Sequence, residues 1–166
     1  MAKWGKCDYK QLKELQKRME KLGKTDLDKF CEDCAKELAA RLLRKVIKRT
    51  PVGEYNDGKI GGTLRRGWTC KSEREAELGS TFGGGTSANK YVSNLPIKKV
   101  GNSYEIEIIN PVKYASYIEY GHRTRNHKGW VPGRFMLTIS ENELNSVSSK
   151  IIEKKLMQYL GECLNA

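Results

Sequence analysis

The two histidines and a nearby carboxylate are the residues best suited to catalysis. His122 and His127 lie five positions apart, and Glu119 precedes them. A hydrolytic metal site normally draws three protein ligands from fixed elements, and a serine triad needs an exposed nucleophile elbow. The sequence contains neither pattern. We therefore expect no enzyme, no metal and no cofactor, and we interpret His122 as a hydrogen-bonding contact residue.

The cysteines are a second possible source of chemistry. Cys31 and Cys34 have the spacing of half a zinc site, but no second pair in the sequence completes four ligands. Both fall on the apolar face of a predicted helix, where thiols behave as small hydrophobes. The sequence has five cysteines, an odd number, and they are scattered along the chain, which favours reduced thiols over a disulfide framework.

Aromatic, basic and turn-forming residues are concentrated between residues 110 and 134. Tyr114, Tyr117 and Tyr120 recur every three residues, so a helical turn would place them on one side, and Gly121 then ends the pattern. Arginine and lysine neutralise phosphates, while arginine with aromatic residues also anchors protein interfaces. We predict a surface that contacts protein or DNA. Its candidate residues are Arg65, Arg66, Trp68, Tyr117, Tyr120, His122, Arg123, Arg125, Lys128, Trp130 and Arg134.

The elements that must position these residues are helices and a few strands. The apolar spacing predicts a short helix over residues 8–22, a long helix that Pro51 ends, and a last helix from Phe135 onward, interrupted near residues 140–142. Alternation predicts paired strands at 64–71 and 75–80, and a hairpin of 95–100 with 103–109 around Gly101.

These elements predict an α+β fold in which a small antiparallel sheet packs against two long amphipathic helices. A short N-terminal helix and long exposed loops complete the prediction. Residues 1–24 form the N-terminal arm and residues 25–166 a single domain, because 166 residues are too few for two comfortable cores.

The composition limits the environment and the partners. No apolar run approaches the roughly 18 residues that a membrane span requires, and the N-terminus has no apolar signal core. We therefore expect a protein made in the cytoplasm, with no membrane and no small-molecule substrate. A net charge of +11 attracts nucleic acid, acidic proteins or anionic surfaces.

Three motifs, in this order, resemble a known family. They are Arg-Thr-Pro-Val at 49–52, Gly-Thr-Leu-Arg-Arg-Gly-Trp at 62–68, and Tyr-Ala-Ser-Tyr-Ile-Glu-Tyr-Gly-His-Arg-Thr at 114–124 followed by Trp-Val-Pro-Gly-Arg-Phe-Met at 130–136. The sequence resembles the tail-completion and head-to-tail joining family of tailed bacteriophages, which includes minor tail proteins of the Z type. The family commonly reads Thr-Pro-Val-Asp-Thr-Gly-x-Leu-Arg, whereas residues 53–61 intervene here.

The resemblance implies a structural role in a phage or prophage particle. Members form a ring, which the resemblance makes hexameric, at the head-proximal end of the tail. The implied partners are further copies of the chain, neck or connector proteins, tail tube or tail terminator proteins, and DNA that passes through the lumen. The implied location is the tail or neck of the virion, after assembly in the host cytoplasm. The alternative is a basic nucleic-acid-binding domain.

Overall fold

The computed structural model describes residues 27–54, 61–78, 87–101 and 103–165, with the backbone alone at 163–165, and three helical positions at 13, 14 and 17. The helices are α1 (Leu27–Arg49), α2 (Thr63–Gly67), α3 (Glu73–Leu78), α4 (Ala88–Ser93), α5 (Ala115–Tyr120) and α6 (Met136–Asn165). The strands are β1 (Lys98–Val100), β2 (Ser103–Glu105), β3 (Gly121–Arg123) and β4 (Trp130–Pro132). The predicted α+β class is confirmed. Most of the predicted N-terminal helix lies outside the described residues.

The two long helices, α1 and α6, form an antiparallel pair. At one end Arg49 donates to the Glu143 carboxylate at 2.6 Å and to Ser140 Oγ at 2.7 Å. At the other end the Phe30 and Tyr159 rings lie 4.7 Å apart. The pair is therefore fixed by polar contacts near the start of α6 and by an aromatic contact near its end.

The core lies where α1 meets α2, α4 and the start of α6. Leu43 and Val46 of α1 are fully buried, and Ala39 and Ala40 one turn earlier let neighbouring elements approach closely. Burial of each large apolar side chain stabilises the fold by about 1.5–3 kcal/mol. The other core residues are Leu64, Trp68, Cys70, Ala76, Val92, Val112 and Met136.

The predicted strand pair over residues 64–80 is wrong, because this segment forms α2 and α3. Leu64 and Trp68 are both buried, and their spacing of four residues puts them on one side of a helical turn. Ser72 Oγ then accepts from the Glu75 backbone N–H at 3.3 Å, which caps the start of α3.

The C-terminal helix α6 is continuous through residues 140–142, where the sequence predicts an interruption. Ser140 is compatible with the helix because its hydroxyl donates to the Met136 carbonyl at 2.6 Å. No helix in the described part of the chain is long and apolar enough to cross a membrane.

The strands form two separate antiparallel hairpins, β1–β2 and β3–β4. The predicted hairpin around Gly101 is confirmed, and it pairs Lys98 with Glu105 and Val100 with Ser103. It is shorter than predicted, since β2 ends at Glu105. The expected alternation nevertheless continues beyond β2, with half-buried Ile106 followed by exposed Glu107.

Candidate assembly surface

Helix α5 leads directly into the β3–β4 hairpin through Gly121. This glycine has a φ of 87°, and a Cβ atom there would lie 2.8 Å from the Gly133 nitrogen. Only glycine fits such a close approach without strain. The hairpin register places Gly121 opposite Pro132, His122 opposite Val131 and Arg123 opposite Trp130. We call residues 121–134 the basic hairpin.

A buried carboxylate attaches this segment to α6. Glu119 is 6% exposed and accepts from the Leu137 and Thr138 backbone N–H groups, each at 3.0 Å, and from Thr138 Oγ1 at 2.9 Å. These two N–H groups are unpaired donors of the first helical turn, and the positive end of the helix dipole favours a negative charge there. Glu119 therefore caps α6 from a distant part of the chain.

The residue at the helix start cannot provide this cap itself. Phe135 has no side-chain acceptor, although its carbonyl accepts the first helical bond, from Ile139 N–H at 2.9 Å. Its φ of 49° lies in the left-handed region. This conformation is held by a bond from Phe135 N–H to the Glu119 carbonyl at 3.1 Å. Nothing in the sequence near Glu119 indicates this role, because the capped N–H groups lie eighteen and nineteen positions further on.

The tip of the basic hairpin is closed by its own hydrogen bonds. Thr124 N–H donates to the Gly129 carbonyl at 3.0 Å, and Gly129 N–H donates to Thr124 Oγ1 at 3.0 Å. Asn126 Oδ1 accepts from Lys128 N–H at 3.2 Å. Because these bonds satisfy the tip internally, the exposed side chains of Arg123, Arg125 and Lys128 remain available to a partner.

Large aromatic side chains beside these cations are exposed. Tyr117, Tyr120 and Trp130 are 58%, 60% and 60% exposed. The Tyr117 ring lies 5.8 Å from the half-buried His122 imidazole, whose buried Nδ1 has no hydrogen-bond partner among the described residues. Exposed aromatic residues next to arginine are typical of interface anchors.

The basic hairpin is a patch of one charge sign. It contains four cations, Arg123, Arg125, Lys128 and Arg134, and no acidic residue. All four are exposed, and none forms an ion pair with another described residue. Several cations elsewhere are paired with carboxylates, as Lys45 is with Glu143 at 2.7 Å. The hairpin therefore presents uncompensated positive charge to whatever it contacts.

The side chains of the other three predicted contact residues are engaged in hydrogen bonds within the fold. Arg65 donates to the Thr50 carbonyl at 3.0 and 2.6 Å, and Arg66 donates to the Ala76 carbonyl at 2.8 Å. Trp68 is buried, and its Nε1 donates to Thr50 Oγ1 at 2.8 Å. These side chains hold α2 against the end of α1 and against α3.

Two of the described thiols, those of Cys34 and Cys70, are buried in surroundings that disfavour their reaction. Burial raises the pKa of both Cys34 and Cys70, so the nucleophilic thiolate is disfavoured at neutral pH. Within the described ranges, no three side chains of His, Cys, Asp or Glu are grouped closely enough to hold a metal ion.

A preformed hairpin that exposes arginine and aromatic side chains is typical of a surface that contacts another protein. A model of the HK97-gp10-like family, described as "Bacteriophage HK97-gp10, putative tail-component", matches residues 13–121. The match covers more than half of the chain, so the chain belongs to this family of bacteriophage tail components. Searches of curated proteins and of solved structures found no match.

The family match confirms the resemblance seen in the sequence and gives the class of protein. The chain is a tail-related structural protein of a phage virion. The matched region ends at Gly121, so it includes α1 to α5 but not the rest of the basic hairpin or α6.

Proposed function

We propose that the chain forms a hexameric ring at the head-proximal end of a phage or phage-like tail. In this role it completes the tail and joins it to the neck and head. Its partners are further copies of itself, neck or connector proteins, and the tail tube or tail terminator. DNA leaving the head passes through the ring. The position and the ring follow from the family resemblance in the three sequence motifs.

The observation that carries the proposal is the basic hairpin. It exposes four unpaired cations beside Trp130 and Tyr120, each 60% exposed, on a hairpin whose tip is closed by internal hydrogen bonds. A surface of this kind is pre-organised, so little conformational entropy is lost when a partner binds. We interpret it as the contact patch of each subunit. Residues 25–166 form the assembling domain and residues 1–24 an additional arm.

The ring is tested by measuring the mass of the purified chain by native mass spectrometry and imaging it by negative-stain electron microscopy. We expect a hexamer of 18.9 kDa chains. Arg123→Ala combined with Trp130→Ala should weaken it, since truncation of an interface anchor costs about 2 kcal/mol or more, about 30-fold in affinity. The matched control is Arg74→Ala, which removes an exposed arginine on α3. A wild-type chain that never associates, alone or on tails, contradicts the proposal.

A second candidate function is nucleic-acid binding, which the uncompensated charge of the basic hairpin favours. Each lysine or arginine that neutralises a phosphate contributes about one unit to the slope of log affinity against log salt. If the isolated chain binds duplex DNA through this patch, Arg123→Ala with Arg125→Ala should reduce that slope by about two. A shallow slope that these changes leave unaltered would eliminate this candidate.

A further inference from the structure

A large groove opens between α4 and the segment that continues β2. Its volume is about 880 Å³. The apolar part of its lining includes Tyr91, Leu95, Ile106 and Ile109, of which Ile109 is 51% exposed. An open groove with an apolar lining and a few polar groups is a place where another molecule can pack.

The groove has a different charge from the rest of the molecule. Glu105 and Glu107 line it, both are exposed, and neither forms an ion pair within the described residues. Lys71 and Lys98 line it as well, so its own charges balance, whereas the whole chain carries +11. A cationic partner is therefore repelled less here than over the average surface.

A nearby carboxylate adds negative potential to the same region. Burial first, and then the neighbouring Cys70 and Glu75, raise the pKa of the Tyr91 phenol. Glu75 is exposed, and its carboxylate accepts from the backbone N–H of Lys71, a residue of the groove wall, at 2.8 Å. Glu75 therefore adds a carboxylate beside the two that line the groove.

The basic hairpin matches the two glutamates of this groove in charge sign and in sequence spacing. Its exposed Arg123 and Arg125 are two residues apart, as are Glu105 and Glu107. Trp130 lies directly across the hairpin from Arg123, so a large apolar side chain accompanies the charges. Arginine pairs with carboxylates through two parallel hydrogen bonds, which gives such a contact geometric specificity.

We propose that the basic hairpin of one copy docks into the groove of the next copy, with Arg123 and Arg125 pairing with Glu105 and Glu107. Trp130 covers the apolar lining. Within one chain, no hydrogen bond or ion pair between described residues joins the hairpin to the groove. Each copy uses the hairpin once and the groove once. Such a head-to-tail contact closes into a ring when the rotation allows it. The inference rests on the proposed ring and names the contact that builds it.

Reversal of the charges on each side separately tests the contact. The hairpin variant is Arg123→Glu with Arg125→Glu, and the groove variant is Glu105→Arg with Glu107→Arg. In each variant alone, the side chains at 123 and 125 and those at 105 and 107 carry the same charge sign, so each variant should lose at least about 100-fold in association, measured by analytical ultracentrifugation. All four side chains are exposed, and circular dichroism checks that both variants are folded.

An equimolar mixture of the two variants gives the decisive result. Every hairpin then meets a groove of opposite charge on the other variant, so the mixture should recover association as an alternating ring with an even number of subunits. A chain that carries all four changes should also associate with itself, without the other variants. The control, Arg74→Glu with Glu153→Arg, reverses exposed charges outside both patches and should associate like the wild type.

The outcomes separate this contact from the ring itself. If the wild type forms rings but either variant associates equally well, or if the mixture stays monomeric, the contact proposed here is wrong and the ring stands. If the groove variant alone keeps full association while the hairpin variant loses it, the hairpin binds a different surface. If the wild type shows no self-association, the ring proposal fails.

Discussion

Replacement of Glu119 by alanine removes the carboxylate that joins the basic hairpin to α6. Three hydrogen bonds of 2.9–3.0 Å are lost, and two backbone N–H groups of the first helical turn lose their acceptor. Loss of a capping side chain costs about 0.5–2 kcal/mol, and a hydrogen bond to a charged group contributes about 1.5–3 kcal/mol. Because all three bonds share one buried carboxylate, we expect a loss of about 3 kcal/mol in the free energy of unfolding.

The assay is urea unfolding followed by far-ultraviolet circular dichroism, with the thermal midpoint as a second readout. For a chain of this length 1 kcal/mol lowers the midpoint by about 2–4 °C, so Glu119→Ala should lower it by about 6–12 °C. Glu119→Gln keeps the shape and one acceptor oxygen but loses the charge, and should cost about 1–2 kcal/mol.

The matched control is Glu141→Ala, which removes an exposed carboxylate near the start of the same helix. A surface change of this kind should alter stability by less than about 0.5 kcal/mol. If Glu119→Ala is no more destabilising than Glu141→Ala, the cap contributes nothing and the reasoning about the hairpin's attachment is wrong.

Three further predictions concern other contacts of the fold. Thr50→Val removes the acceptor of the buried Trp68 N–H and should cost about 1–3 kcal/mol in urea unfolding; an unchanged midpoint would contradict that role. Gly133→Ala would place a Cβ against backbone carbonyls and should lower the free energy of unfolding by about 2 kcal/mol or more. Gly161 in α6 has nothing within 4 Å of such a Cβ, so Gly161→Ala should raise the free energy of unfolding by about 0.5–1 kcal/mol. Hydrogen bonds from lysine and arginine lower the pKa of Glu143 from its ordinary value of 4.5, so its stabilisation is complete above that value and disappears as pH falls through the lowered pKa. The difference in free energy of unfolding between wild type and Glu143→Gln should therefore shrink from pH 7 to pH 3. A difference that stays constant would refute this role of Glu143.

The long helices were predictable because their apolar spacing is sustained over many turns. α1 runs from Leu27 to Arg49 and ends just before Pro51, as predicted. The segment around Trp68 was not predictable, since Trp68 and Cys70 alternate with polar neighbours as in a strand, while Leu64 and Trp68 have the spacing of a helical turn. The bond from Trp68 to Thr50, eighteen positions away, is a tertiary contact that local alternation does not reveal.

The residue types of the candidate surface were predictable from the sequence, but the contact that attaches the hairpin to α6 was not. The concentration of arginine and aromatic residues in the segment after α5 is visible in the sequence. A sequence cannot distinguish an arginine that binds a partner from one that binds a backbone carbonyl, as Arg65 does with Thr50. It also cannot show that Glu119 caps a helix eighteen residues further on, because that contact depends on how the hairpin folds back.

We propose that this chain completes the tail and joins it to the head. Electron microscopy of phage particles made with and without the coding sequence, with a plasmid copy as control, tests this role. We expect that loss of the chain leaves heads and tails unjoined, or tails of irregular length, and that the plasmid restores complete particles. Normal, infectious particles in the absence of the chain would contradict it.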